Sequence, residues 1–245
     1  MKIKLISCEA LYREFCMATA KSPHVFDLKF LGFSLHDTPA SLREAIQAEI
    51  DATEGCGYDY IVLGYGLCSR GAADVTARSI PIVIPRMHDC ITIFLGSRER
   101  YNEEFTAHPG TYYYSSGWIE RKDGEVQQGF IDEVHEQRSK ARYEEYVEKY
   151  GEDNAKFLIE QEDQWLANYT RAAYINTGIG NIEEYRRFTS QLAKDQNWEY
   201  TEIEGSTSLF DRLANADWDS DDFLEVAPGQ TIVESFDELI LKVRQ

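Results

Sequence analysis

The sequence predicts an α/β protein: a Rossmann-like parallel sheet, doubly wound in its N-terminal half, then a helical insertion and a second α/β half. Two observations predict it. Short apolar runs of strand type alternate with segments of helical period through the first ~110 residues, and the same alternation resumes after a highly charged middle. Strands that alternate with helices pair in parallel through right-handed crossovers, which is what builds a doubly wound unit. Residues Lys2 to Ser7 read as a strand, Cys8 to about Ala20 as a helix, and Val25 to Leu31 as a second strand. "PASLREAIQAEIDA" reads as a helix with Leu42, Ile46 and Ile50 on one face. Tyr60 to Gly64 is the third strand and "SIPIVIP" the fourth, and "DCITIFLGSRERYNEEF" reads as one helix capped by Asp89.

The middle differs. "WIERKDGEVQQGF" is a turn-rich excursion, and "EQRSKARYEEYVEKYGEDNAKFLIEQEDQWLANY" is charged and helical with a break near Gly151; its polar bias reads as a solvated face, with a partner surface as the alternative. Beyond it, "RAAYINTG" is a strand, "NIEEYRRFTSQLAKD" a helix with Asn181 at its start, and "WEYTEIEG" a strand. "STSLFDRLAN" is a helix and "DFLEVAPGQTI" the final strand. The expected units are therefore 1–115, an α/β half; 116–169, a mainly helical insertion; and 170–245, a second α/β half. Whether that last half extends the first sheet or builds its own is open at this point.

Composition narrows the function. With 245 residues, 43% of them hydrophobic, the chain can bury a substantial core. Forty-three acidic residues against 25 basic ones, a formal charge of −18, argue against a nucleic-acid partner, which needs clustered Lys and Arg. No stretch approaches the roughly 20 apolar residues of a membrane span, and "MKIKLISCEAL" is too short an apolar run for a signal peptide. The expectation is a cytoplasmic protein whose five cysteines are reduced, so that they are free, catalytic or metal-binding.

Three of those cysteines fall where predicted strands run out: Cys8 after the first, Cys68 after the third and Cys90 after the fourth. In a parallel sheet these ends share one edge, so the three thiols converge although no CxxC spacing advertises them. Thiolates are soft ligands for zinc or an iron-sulfur cluster, and helix N-termini and Gly-rich turns stabilise them. Gly64, Gly66 and Gly71 surround Cys68 as candidate cofactor-binding residues. Three protein ligands leave a fourth position open, the mark of a reactive centre, and His88 is placed to close it or to move protons. Arg70 and Arg86, beside Cys68 and Cys90, are candidates for binding an anionic substrate. Asn176 and Gly178, in "YINTGIGN", sit where a strand leads into a helix and form a second candidate cofactor contact; a plain tight turn is the alternative. Cys16 and Cys56 lie off this edge and read as ordinary residues, and His24, His36, His108 and His135 read as surface or capping residues.

The segments "YDYIVLGYGLCSRG", "PIVIPRMHDCITIFLGSRERY", "HPGTYYYSSGWIE" and "DFLEVAPGQTI" resemble the signature segments of the domain-of-unknown-function 1638 family. The resemblance implies a setting among anaerobes and methanogens, alongside corrinoid-dependent methyltransferase systems, and supplies no reaction. It also implies that the family's cysteines correspond to Cys8, Cys68 and Cys90 here. Where the family commonly reads Gly-Asn-Gly after the second of these, this chain reads Ser69-Arg70-Gly71, which sets a cation beside the expected site.

Three function classes follow. The first is an enzyme of anaerobic one-carbon metabolism with a Cys-ligated centre, a four-iron cluster or zinc, acting on a small anionic molecule. The second is a non-catalytic module that carries a cofactor or docks on a corrinoid protein or methyltransferase, and it leaves room for a homo-oligomer. The third is a metal-free enzyme with Cys90 as nucleophile.

Overall fold

The computed structural model describes residues 1–32, 35, 38–121, 133–163, 168–219 and 221–245. The N-terminal unit runs β1 (Lys2–Cys8), a 3₁₀ turn (Glu9–Leu11), α1 (Tyr12–Lys21), β2 (Val25–Leu31), α2 (Pro39–Asp51), β3 (Tyr60–Gly64), β4 (Ile82–Pro85), α3 (Cys90–Leu95) and α4 (Arg98–Ala107). Then come β5 (Thr111–Tyr114), α5 (Ser116–Glu120), α6 (Glu133–Tyr150), α7 (Glu152–Asp163), β6 (Arg171–Asn176), α8 (Ile182–Asp195), β7 (Glu199–Glu204) and α9 (Ser208–Asn215). The chain closes with β8 (Phe223–Val226), β9 (Thr231–Glu234) and β10 (Leu241–Arg244).

The protein is a mixed α/β fold around a mostly parallel sheet of order β2-β1-β3-β4-β8. Its first four strands are parallel and β8 runs antiparallel along β4. Strand parity explains why both faces are covered. Ile3, Leu5, Val62 and Val83 project to the face packed by α1, α3 and α9, while Ile6, Ile61, Leu63, Ile82 and Ile84 project to the face packed by Leu42, Ile46 and Ile50 of α2. Each such fully buried aliphatic side chain contributes about 1.5–3 kcal/mol.

A second, parallel sheet has the order β5-β6-β7, and α8 covers it with Tyr185, Thr189, Leu192 and Ala193. β5, like β10 near the C-terminus, is a strand that the sequence pattern does not reveal. "TYYY" is too short to show an alternation, yet aromatic and β-branched residues suit a half-buried pleat, and the rings of Tyr112 and Tyr114 pack on Trp198 and Phe188.

The second half answers both ways. β6 and β7 build their own sheet, but β8 returns to extend the first, and β9 pairs with β10 as a short antiparallel ribbon, so the one final strand expected over 222–232 is split between β8 and β9, with β10 beyond them. Unit 1–115 therefore lends β5 to the second sheet, and unit 170–245 lends β8 to the first. The single helix expected over 89–105 is two, because Gly96 adopts φ 87° and ends α3 before Ser97 caps α4. The helical middle does break at Gly151, and α6 packs along α7. The turn-rich stretch expected past residue 121, the position of His36 and the side chain of His135 lie outside the described residues. Exposed His108 sits at the C-terminal end of α4, as a capping role requires. Among the described residues, no helix is long and apolar enough to cross a membrane.

Candidate functional site

In the central sheet the chain winds to β2 on one side of β1 and to β3 and β4 on the other. In open parallel sheets the crevice beyond the carboxyl ends of the strands, at such a reversal, is where ligands sit. Cys8 is the last residue of β1, Cys68 lies in the turn after β3, and Cys90 is the first residue of α3 after β4. All three line one cavity of about 190 Å³, shared with Gly64, Tyr65, Asp89 and Trp118.

Two backbone devices bring the β3 and β4 ends together. Leu67 N–H donates to the Met87 carbonyl and Cys68 N–H to that of His88, both at 2.8 Å, which zips the two loops. Cys68, Ser69 and Arg70 then take φ of 45°, 53° and 74°, a left-handed turn closed by Gly71 N–H on the Cys68 carbonyl at 2.9 Å. Each of those side chains costs about 1–2 kcal/mol there. Such concentrated strain persists where the surroundings over-determine it, typically at a binding site.

The flanking glycines answer to packing. A methyl at Gly64 would overlap Ser7 Oγ, one at Gly66 would lie 2.6 Å from the Met87 carbonyl oxygen, and one at Gly71 would overlap Leu42. Gly64 borders the cavity; Gly66 and Gly71 hold the β3 loop against its neighbours and do not line it.

Asp89 and Trp118 complete the walls. Asp89 caps α3 as expected, its Oδ1 accepting from Ile91 N–H at 3.0 Å, and its Oδ2 accepts from the Tyr101 hydroxyl at 3.0 Å. Trp118 arrives on α5, directly after β5, so the carboxyl end of the second sheet closes over that of the first. α5 can sit this close because residue 117 is glycine: any side chain there would overlap the Ala10 carbonyl. The Trp118 indole borders the cavity with Cys90 and bears on its thiol.

The thiols border the cavity and are otherwise surrounded by protein. Burial, followed by the neighbouring Cys90, pushes the Cys8 thiol up to about 12. Burial, followed by Cys8 and Asp89, pushes that of Cys68 up to about 12. Cys90 is driven well above the ordinary thiol range by burial, Asp89 and Cys68, with Trp118 acting in the opposite sense. Without an added positive charge, the three thiols are therefore neutral at pH 7.

The other sequence-predicted residues lie elsewhere. Arg70 pairs with Glu234 at 2.8 Å, and Arg86 donates to the carbonyls of Phe223, Leu239 and Leu241, so the C-terminal segments engage both guanidinium groups. Neither lines the cysteine cavity. His88 is exposed and borders a separate polar cavity with Arg98, Tyr101 and Asp237. Its contribution to the site is the carbonyl that holds Cys68. Asn176 accepts from Gly178 N–H at 2.9 Å and donates to Glu202, forming a tight turn outside the cysteine cavity. Cys56 is exposed, and Cys16 lies within α1. Among the described residues, no three His, Cys, Asp or Glu side chains are gathered as a single-ion site.

Tyr65 and Trp118 were absent from the sequence-derived site. Tyr65 lies between two glycines of "GYGLC", and only its position in the turn aims it inward. The two serines before Gly117 in "SSGWIE" signal a helix start, and Ser115 does accept from Trp118 N–H, but nothing local shows that this helix returns to β1.

A second buried group joins the halves. Glu14 of α1 is buried, with Oε1 accepting from Ser116 Oγ at 2.9 Å and Thr177 Oγ1 at 2.8 Å, while Oε2 has no partner. Burial raises its pKa above 4.5; the two hydroxyls oppose this and Glu120 adds to it. An acid with a raised folded pKa binds more protons folded than unfolded. Its contribution to stability is therefore full below 4.5 and falls as the pH rises through the folded pKa. Glu14→Gln is expected to flatten that decline in denaturant melts taken across this window, relative to wild type. Equal slopes would show that Glu14 titrates normally.

Among known families, the model described as protein of unknown function (DUF1638) matches residues 30–214, three quarters of the chain. Cys68 and Cys90 fall inside that stretch; Cys8 and "DFLEVAPGQTI" fall outside it. No curated protein and no solved structure matches the chain.

Proposed function

The chain belongs to the DUF1638 family of proteins of unknown function, and from the chemistry of its cavity we propose that it binds a metal centre through Cys8, Cys68 and Cys90. The observation that carries this reading is the convergence of three thiols, from three strand ends, on one cavity. The donor set suits a soft centre. A lone zinc ion draws its thiolates to about 2.3 Å from one point, whereas a cluster takes each thiolate on a different iron, and the anaerobic setting that the resemblance implies favours the second. Bound through three thiolates, a four-iron cluster would keep one iron open to an outside ligand or would exchange electrons.

The chain's own residues have distinct parts in this reading. The left-handed turn at 68–70 presents Cys68 to the cavity, Asp89 fixes the start of α3 and hence Cys90, and Trp118 walls the cavity on which Cys90 lies and screens it from water. The sheet order supports a Rossmann-like reading of the first unit, with its ligand crevice at β1 and β3. The corrinoid setting implied by the resemblance is the proposed occasion for such a centre, and the cavity limits any substrate to a small molecule. With Arg70 and Arg86 engaged elsewhere, an anionic substrate would meet them only at the margin. A metal-free cysteine nucleophile is less well supported, because burial moves each thiol away from the thiolate that such chemistry needs. Iron, zinc and acid-labile sulfide analysis of the anaerobically purified chain tests the proposal.

A further inference from the structure

Tyr65 stands immediately after β3, only 3% exposed, and its hydroxyl has no hydrogen-bond partner although it is buried. It lines the cysteine cavity together with Cys8 and Cys68. A buried hydroxyl without a partner costs about 1–3 kcal/mol. Most buried polar groups in folded proteins are satisfied, so an exception at a cavity wall points to a partner that arrives with the ligand. Among the described residues none accepts from Tyr65, and a thiol is a weak acceptor at best.

We infer that Tyr65 is a recognition residue of this cavity, its hydroxyl donating to an anionic sulfur, thiolate or sulfide, that exists only once a metal centre is bound between Cys8 and Cys68. The inference rests on the metal reading above and deepens it. Binding a thiophilic cation removes the thiol protons and leaves sulfurs that carry negative charge. Tyr65 O–H then donates to one of them. The hydroxyl therefore acts in the loaded state alone, which separates it from a residue that merely supports the fold.

The test is Tyr65→Phe, which removes one oxygen and keeps the ring, with Cd²⁺ as the probe. Apo protein is prepared by chelation under reducing, anaerobic conditions. Cd²⁺ affinity is read from the thiolate charge-transfer absorbance, and stability of the apo form from its melting temperature. The expected result is an apo Tyr65→Phe chain that melts no lower than apo wild type, yet binds Cd²⁺ on the order of ten- to a hundredfold more weakly, as for loss of a hydrogen bond to a charged group. Cys56→Ala should match wild type in both readouts.

Affinity equal to wild type would overturn the inference. So would a drop of several degrees in apo melting temperature, since the hydroxyl would then have a partner in the protein itself. Failure of the metal reading looks different: wild type would show no charge-transfer band on Cd²⁺ addition and none when Fe²⁺ and sulfide are supplied, and the inference would fall with it.

Discussion

Replacing Cys68 with alanine is expected to leave the anaerobically purified chain without stoichiometric metal. Cys68 shares the cavity with both other thiols: Cys90 bears on Cys8, Cys8 on Cys68 and Cys68 on Cys90. Its removal leaves two thiolates, too few to hold a cluster that cysteine thiolates anchor. The fold should persist, because the turn is held by backbone hydrogen bonds from Leu67, Cys68 and Gly71, which alanine retains. Cys16→Ala and Cys56→Ala should keep wild-type metal, since neither residue reaches the cavity. Metal analysis of the three variants, with circular dichroism to confirm folding, checks this. A folded Cys68→Ala chain with wild-type metal would remove Cys68 from the site.

Gly117→Ala should be the most damaging single-methyl change. The methyl would overlap the backbone carbonyl of Ala10, which cannot swing aside as a flexible side chain can. Either α5 lifts away or the 3₁₀ turn after β1 shifts, and both movements displace a wall of the cavity. Overpacking of this kind costs about 3 kcal/mol, or roughly 6–12 °C in melting temperature for a domain of this size. Metal affinity should fall with it, because Cys8 and Trp118 move apart. An unchanged melting temperature would mean that the two sheets do not meet at this contact.

The parts of the structure legible in the sequence are those written in local periodicity. Val25–Leu31 and Tyr60–Gly64 are strands with the boundaries read from their apolar runs, and Leu42, Ile46 and Ile50 do form the buried stripe of α2. From parallel strands alone, Cys8, Cys68 and Cys90 belong on one edge, and one cavity holds all three. Long-range pairing was not legible. Four residues of β5 carry no period, so nothing local assigns them to a sheet with β6. β8 joins the first sheet because its Phe223, Leu224 and Val226 complete the buried edge beside β4, a choice made by packing. Charged side chains misled for a related reason. Arg70 and Arg86 are adjacent in sequence to site cysteines, but a guanidinium reaches several ångströms and settles where carbonyls and Glu234 satisfy it. Tyr65 and Trp118 escaped notice because an aromatic residue next to a glycine looks the same in sequence whether it fills a core or faces a ligand.

The account stands most directly on the content of iron, zinc and acid-labile sulfide in the wild-type chain purified without oxygen. It predicts a stoichiometric centre, with iron and sulfide in matching amounts and little zinc. A folded chain that holds neither iron nor zinc, and takes up neither when they are supplied to the reduced protein, would contradict it.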